Sequence, residues 1–418
     1  MKTYTAFEYL CIDLANNFGH DKWEFEARIQ WVFDHMDKLW DLVDHPDADK
    51  KTKALLKKSI LTIERARKGI AIGHMVGLDA ACSGMQILSC VTGCIAGATA
   101  TGLVIPDKRM DAYKEVTDAM NAIEGILVKV PRQSAKEAVM TSIYGSTAKP
   151  KEIFGEESPE LNAFYQAMLK VAPGAWEVLE ELRNAWTPFA KFHAWKLPDG
   201  FDAKVKVMEK VEKRIEVDEL DHATFTHEFF VNEGTKTGIS LVANVTHSLD
   251  AYVLRTMQRR CNYNEEAVFT ATGHMAKCME ERQISGLVQE PVEEGTKLAY
   301  YITQYDRSTV ADVVILPYIT AYNVNQLSDK HILKLLDICR QMLQHKPFHM
   351  YTVHDAFHAL PQNCNWVRWH YKEILADLAD SEVLTDLLNQ LHGTTNGKFH
   401  KLSNNLGDII RQSNYGLS

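Results

Sequence analysis

Apolar residues recur at helical spacing through much of the chain. Phe25, Ile29, Val32, Phe33, Met36 and the pair Leu39-Trp40 fall on one stripe, which predicts a helix running until His45-Pro46-Asp47 breaks it. A second helix with a strongly basic face is expected over 53–72, a third over 110–130, and a fourth from Arg132 to Tyr144 with Pro131 at its start. Helical character continues from Pro159 to Phe192. The pattern changes at Trp195-Lys196-Leu197-Pro198-Asp199-Gly200. Beyond it Val205, Val207, Val211, Ile215 and Val217 nearly alternate with charged residues, and Phe225, Phe229 and Val231 follow, which reads as a two-stranded β excursion. Helix resumes over 239–259. Residues 260–345 are mixed, with an apolar run Val313-Val314-Ile315-Leu316 and a helix near 330–343. Phe348 to Val353 reads as a strand, His354-Asp355 as a tight turn, and the residues up to Pro361 as a second short strand. Helices and a polar tail complete the chain.

Composition narrows the class. The 418 residues are 46% hydrophobic and 24% charged, which suits a folded protein of roughly two to three domains and excludes a disordered or collagen-like chain. A net charge of −9 argues against a surface coated in basic groups, but the charge is uneven. Residues 1–50 hold eleven Asp/Glu against five Lys/Arg, whereas 51–70 hold seven Lys/Arg against one Glu and 204–214 hold five against two. Single-sign patches decide what a surface attracts. The eight cysteines sit among apolar neighbours without a CxxC pair, as reduced thiols do in a cytosolic setting. The first thirteen residues carry no targeting pattern. The weakly polar stretch 80–105 is long enough to suggest a membrane span, yet its many small polar residues predict a buried loop and helix and no membrane contact.

Three segments carry candidate chemistry. In Gly77-Leu78-Asp79-Ala80-Ala81-Cys82-Ser83-Gly84, an acid follows an apolar lead and small residues follow the acid, so oxygen ligands can approach an ion closely; the plain alternative is a turn or helix cap. Arg132, Lys136, Met140 and Tyr144 are spaced by four and share one helix stripe. Two cations a turn apart can grip a triphosphate and an aromatic can stack on a base, although a solvated basic face ending at Gly145 has the same spacing. The third segment is the pair His354-Asp355. A zincin-type site is excluded because no HExxH occurs, and Cys90 and Cys94 lack a second ligand pair. No GxxxxGK[ST], GxGxxG or GxSxG is present. Two separated carboxylates with a basic-aromatic helix between them match the needs of nucleotidyl transfer, in which two Mg²⁺ ions serve the attacking hydroxyl and the departing pyrophosphate.

In this order the motifs DxxCSGxQ, RxxxKxxxMTxxYGS and HDAF resemble motifs A, B and C of the single-subunit DNA-dependent RNA polymerases of phages and mitochondria. Asp111-Ala112-Tyr113 resembles the D-x-Y after motif A. Trp195 to Phe201 resembles the W-x-x-P-x-G-F before the specificity hairpin, and Asn244-Val245-Thr246-His247-Ser248 resembles N-x-x-H-S. The resemblance implies a mostly helical α+β right-hand polymerase fold, with palm and fingers around a small antiparallel palm sheet and part of the thumb-side region absent. It implies Asp79, Asp355 and the carbonyl of Ala80 as ligands of two Mg²⁺ ions. Arg132 and Lys136 are implied to hold the triphosphate, with Lys136 protonating the leaving pyrophosphate. Tyr144, supported by Tyr113, is implied to select ribose, since the 2′-hydroxyl is the group that distinguishes the two sugars. His247 is implied to touch the sugar or minor-groove edge, Gly145 and Ser146 to lie under the template base, and the hairpin around 201–232 to track DNA.

The expected division is palm-side helices with motif A in 1–110, fingers in 111–200, the hairpin in 201–238, a palm helix in 239–259, an insertion without assigned role in 260–345, and motif C with the tail in 346–418. Departures from the pattern are Ala80 for the usual Gly, Ala356 for the usual Ser, and no DxxGR anywhere in the chain. The last predicts the catalytic half of a split enzyme whose second subunit supplies DxxGR and the N-terminal domain. Its other expected partners are DNA template, nascent RNA, rNTPs and a single-strand-DNA-binding helper, in a virus-encoded setting in the cytoplasm of a bacterial host. The alternatives are an A-family-like DNA polymerase, whose motif C usually reads HDE, and a non-catalytic DNA-binding accessory of polymerase shape.

Overall fold

The strands are β1 (Val76–Asp79), β2 (Phe192–Lys196), β3 (Asp202–Lys206), β4 (Glu209–Val217), β5 (Ala223–Val231), β6 (Met350–Val353) and β7 (Ala356–Ala359). They come from a computed structural model that describes residues 1–126 and 128–418. The fold is mostly helical α+β with small antiparallel sheets. The central sheet has the order β1-β7-β6, and β2–β3 and β4–β5 form separate two-stranded ribbons. The chain's last residues extend the central sheet at the free edge of β1: Asp79 and Ser418 exchange backbone hydrogen bonds of 3.3 and 2.9 Å, and Ala80 bridges Leu417.

The helix Ser83–Thr92 follows β1, and every residue of it is buried. It is the helix that the small-residue stretch 80–105 predicts. Met85, Ile87, Leu88 and Val91 each contribute ~2 kcal/mol of apolar burial on this one element. Its one long polar side chain, Gln86, is fully satisfied, donating to the carbonyls of Thr101 and Gly416 at 2.9 and 3.0 Å and accepting from the Tyr371 hydroxyl at 2.7 Å. All eight cysteines are free and buried. Among the described residues no helix is long and apolar enough to cross a membrane.

Several predicted helices are shorter than their apolar spacing suggests. The first ends at Asp34, and Leu39–Asp44 is a 3-10 turn instead. The basic helix is Lys53–Arg67 and stops ahead of Gly69, which has φ 68°. The third is Ala112–Asn121; part of the predicted span, Leu127, lies outside the described residues. The stretch 159–192 is two helices, Pro159–Val171 and Pro173–Asn184, divided at Pro173, and it finishes in β2. Phe192 is strand because β3 pairs with it from Lys206 to Asp202, a partner no local pattern reveals. Residues 260–345 hold two helices beyond the predicted one, Glu265–Ser285 and Lys297–Ser308, which pack with Asp329–Met342 around a core of their own. The two ends of this segment meet, the Phe348 N–H donating to the Cys261 carbonyl at 2.9 Å.

Candidate active site

β1 ends at Asp79, and the β6–β7 hairpin turns at Asp355. Antiparallel register pairs Asp79 with Ala356, so the two acids are neighbours across the strands, and the Ala80 N–H donates to the Asp355 carbonyl at 3.4 Å. His354 takes the left-handed φ of 55° within the turn. Solvent reaches Asp79, yet protein crowds its carboxyl. Burial, and then the Asp355 carboxylate, push its pKa up to about 6, while Lys22 and Arg109 pull it the other way.

A cavity of about 160 Å³ opens on this pair, lined also by Ala80, Arg109, Tyr113, Arg132 and Lys136. Three of the cations lining it have polar partners. Arg132 forks onto Asp111, with Nε and a terminal nitrogen at 2.8 and 2.7 Å; Lys22 pairs with Asp21 at 2.6 Å; Arg109 donates to the Ser418 hydroxyl at 3.0 Å. Arg132 and Lys136 both lie over the Tyr113 ring, at 5.5 and 5.6 Å from its centroid. Two carboxylates held side by side with the Ala80 carbonyl form an all-oxygen donor set, which fits a hard Mg²⁺ ion, and mutual repulsion leaves Asp79 in want of positive charge. Among the described residues the single three-donor cluster of acids and histidine is elsewhere: Glu216, Asp218 and His222, at the exposed end of β4–β5.

A second cavity of about 560 Å³ shares Cys82, Tyr113, Met140 and Asp355 with the first and adds Tyr144, His247 and Asp250. The helix Arg132–Ser142 presents Arg132 and Lys136 to the first cavity, and the turn that follows it presents Tyr144 to the second. The rings of Tyr144 and His247 stack with centroids 4.4 Å apart, and the Tyr144 hydroxyl donates to Asp250 at 3.0 Å. Burial, outweighing the hydroxyls of Tyr144 and Ser83, pushes the Asp250 carboxyl up to about 6. Gly84 lets this arrangement form, because a Cβ there would sit 2.6 Å from Ile143 and 3.2 Å from the Tyr144 oxygen. Gly145 has φ 90° and meets Val242, and Ser146 follows it; neither lines the two cavities. Thus Asp79, Ala80, Asp355, Arg132, Lys136, Tyr113, Tyr144 and His247 converge, with Gly145 and Ser146 just outside.

Two participants have no role in the sequence reading. Asp111 is the cap of the helix Ala112–Asn121, accepting from the N–H groups of Tyr113 and Lys114 at 3.1 and 3.2 Å, and also orients Arg132. Asp250 is one helical turn after His247, a spacing that could have marked it.

Residues 2–153 match the model of a family described as DNA-dependent RNA polymerase. The match contains Asp79, Arg132, Lys136 and Tyr144; the fold adds Asp355 from beyond it. Over residues 2–153 the chain is similar to this family. It is 27% identical over 219 residues to the mitochondrial DNA-directed RNA polymerase of Schizosaccharomyces pombe, covering 46% of this chain and 19% of that one. It is 28% identical over 175 residues to DNA-directed RNA polymerase 2B, chloroplastic/mitochondrial, of Nicotiana tabacum, covering 34% and 17%. It is 24% identical over 310 residues to the mitochondrial DNA-directed RNA polymerase 1 of Arabidopsis thaliana, covering 62% and 32%. The matches therefore span at most about a third of these relatives' lengths. The expectation of a virus-encoded chain in a bacterial cytoplasm is corrected by the same relatives, which are mitochondrial or chloroplast enzymes. Its motifs A to C are shared by the phage and organelle branches, so they held no information on compartment.

Proposed function

We propose that this chain carries the catalytic core of a DNA-dependent RNA polymerase, joining rNTPs by template-directed phosphodiester formation with two Mg²⁺ ions. The observation that carries the reading is the meeting of Asp79 and Asp355 across β1 and β7, beside a cavity lined by Arg132, Lys136 and Tyr113. Asp79, Asp355 and the Ala80 carbonyl would hold the metal. Bound Mg²⁺ supplies Lewis-acid activation of the primer 3′-hydroxyl and neutralises charge on pyrophosphate. Arg132, already oriented by Asp111, and Lys136 bind the triphosphate, and the Lys136 ammonium holds a proton where pyrophosphate leaves. Tyr144, with His247 stacked on its ring, and Tyr113, which lines the same cavity, select the ribose. Gly145 and Ser146 are assigned to the template base, and the β4–β5 hairpin to DNA.

Residues 1–418 contain no DxxGR, and we propose that a further polypeptide segment supplies this contact to the template–transcript hybrid and a single-strand-DNA-binding helper completes the set of partners. Affinity purification from the native source tests this. A segment containing DxxGR, joined to residues 1–418 or co-purifying with them, is expected, and an active preparation without one would contradict it. The function itself is tested by extension of an RNA primer on a DNA template with rNTPs and Mg²⁺, against Asp79→Asn.

A further inference from the structure

Alternation along the central sheet leaves one of its faces open. Val76, Leu78, Met350, Phe357 and Ala359 are buried on the other. Register then sets Gly77 and Asp79 of β1, Ala356 and His358 of β7, and Tyr351 and Val353 of β6 together on the open face. They form two rows across the strands. One is Asp79, Ala356 and Val353, and it holds a member of the acid pair; the other is Gly77, His358 and Tyr351. In the second row the rings of His358 and Tyr351 stack with centroids 4.5 Å apart and planes 3° apart. His358 also leans over β1, so closely that a Cβ on Gly77 would sit 2.6 Å from it. Tyr351 is exposed.

The place of this row relative to the acids gives it a meaning. Ala80, Ala81 and Cys82, which follow Asp79, line the cavity of Arg132 and Lys136, whereas Gly77 precedes Asp79 and its row lies outside that cavity. Asp79 therefore stands between the two. Alternate residues of a strand are ~7 Å apart, about two base steps of ~3.4 Å along one nucleic-acid strand. A 3′-hydroxyl held at the acid pair, with its incoming triphosphate in the cavity, trails its own strand over the row. Basic charge flanks the same face. The helix Lys53–Arg67 is tied to the lead into β1 by the buried Asp13, which accepts from Ser59 and pairs with His74 at 2.9 Å. Lys58, beside Ser59, is exposed, as are Lys57 and Arg65. Burial lowers the His358 pKa; Asp13 opposes this, and Lys58 and His74 add to it, so all three stand near the ring. The basic stretch 51–70 thus adjoins the open face of the sheet.

We infer that this row is a grip on the transcript: Tyr351 and His358 meet ribose 2′-hydroxyls within the last few nucleotides before the 3′ end, and Lys58 meets a phosphate behind them. The inference rests on the polymerase reading for the place of the 3′ end. Its test is fluorescence anisotropy of a labelled RNA primer annealed to a DNA template, without rNTPs, on the full chain with any polypeptides that co-purify. The same primer is then used with a single 2′-deoxynucleotide at each of its last four positions. Tyr351→Phe keeps the ring and its stack and should weaken binding of the all-RNA primer about fivefold. Wild type should lose a similar factor at one of the four deoxy positions, where Tyr351→Phe loses nothing more. Lys58→Gln should weaken RNA and DNA primers alike and lower the slope of log affinity against log salt by about one. Both side chains are exposed, so neither change threatens the fold. A wild type indifferent to all four deoxy positions overturns the grip, as does a Tyr351→Phe chain with the wild-type pattern. A response to the sugars of the template strand in place of the primer overturns it too. If the wild type shows the positional pattern yet extends no primer when rNTPs and Mg²⁺ are added, the grip stands and the polymerase reading fails.

Discussion

The contact between Tyr144 and Asp250 sets a specific expectation for sugar selection. Replacing Asp250 by Asn keeps the side chain's size and an acceptor for the Tyr144 hydroxyl, but converts a hydrogen bond to an ionised group into a neutral one. That change weakens the hold on Tyr144 by ~1 kcal/mol. Tyr144→Phe removes the bond altogether, at ~1.5–3 kcal/mol, less whatever the Ser83 hydroxyl still supplies to the carboxylate. Both variants should reduce the preference for rNTP over dNTP by about tenfold, or ~1.4 kcal/mol. If Asp250 works through Tyr144, the double variant should fall little further, a coupling of ~1 kcal/mol in a double-mutant cycle. The assay is competitive single-nucleotide extension with ATP and dATP. Fully additive losses, or undiminished selectivity in Asp250→Asn, would refute the reasoning. Stability provides a second reading of the same group. Because its folded-state pKa is raised to about 6 from 3.8, the folded chain binds this proton more tightly than the unfolded one. The native state is therefore favoured at low pH and loses that advantage as pH rises from 3.8 through 6. The loss amounts to ~2 kcal/mol once partial solvent access is allowed for. Asp250→Asn should remove this slope from urea-melt stability measured across that range.

Other substitutions probe the remaining geometry. Arg132→Lys cannot reproduce the fork onto Asp111, so KM for rNTP should rise about tenfold in steady-state extension with little change in melting temperature. Gly145→Ala combines a φ of 90° with a Cβ 2.8 Å from Val242, and should lower stability by ~2–3 kcal/mol in denaturant melts. For Asp79, raised to about 6, protonation competes with metal, so activity at sub-saturating Mg²⁺ should fall below pH 6 and be recovered by added Mg²⁺.

Elements whose signal is local were legible in the sequence. The β6–β7 hairpin follows from alternation on either side of His354-Asp355, and the Arg132 helix from its spacing and Pro131. The convergence of Asp79 with Asp355 was implied by a family resemblance, because strand register between distant segments leaves no trace in either segment alone. β2 was hidden for the same reason: the helical character read over 159–192 runs into Phe192, and only pairing with β3 makes the residues from there on a strand. Asp111 was named only as the first residue of D-x-Y, without its hold on Arg132, and Asp250 was passed over, because the partner each orients, Arg132 or Tyr144, lies elsewhere in the chain. The core of the 260–345 segment escaped notice because its helices bury only one face each, Val268, Ala271, Met275 and Cys278 on one and Leu298, Ile302 and Tyr305 on another.

The central claim is that Asp79 and Asp355 form one metal-dependent catalytic pair. The direct measurement compares wild type and Asp355→Asn in Mg²⁺-titrated extension of an RNA primer on a DNA template with rNTPs, alongside binding to the same template. Wild-type extension should follow the template and require Mg²⁺, and Asp355→Asn should lower its rate by at least ~10³-fold with template binding unchanged. Extension by Asp355→Asn at the wild-type rate, or none by the wild type with its co-purifying polypeptides at any Mg²⁺ concentration, would contradict the account.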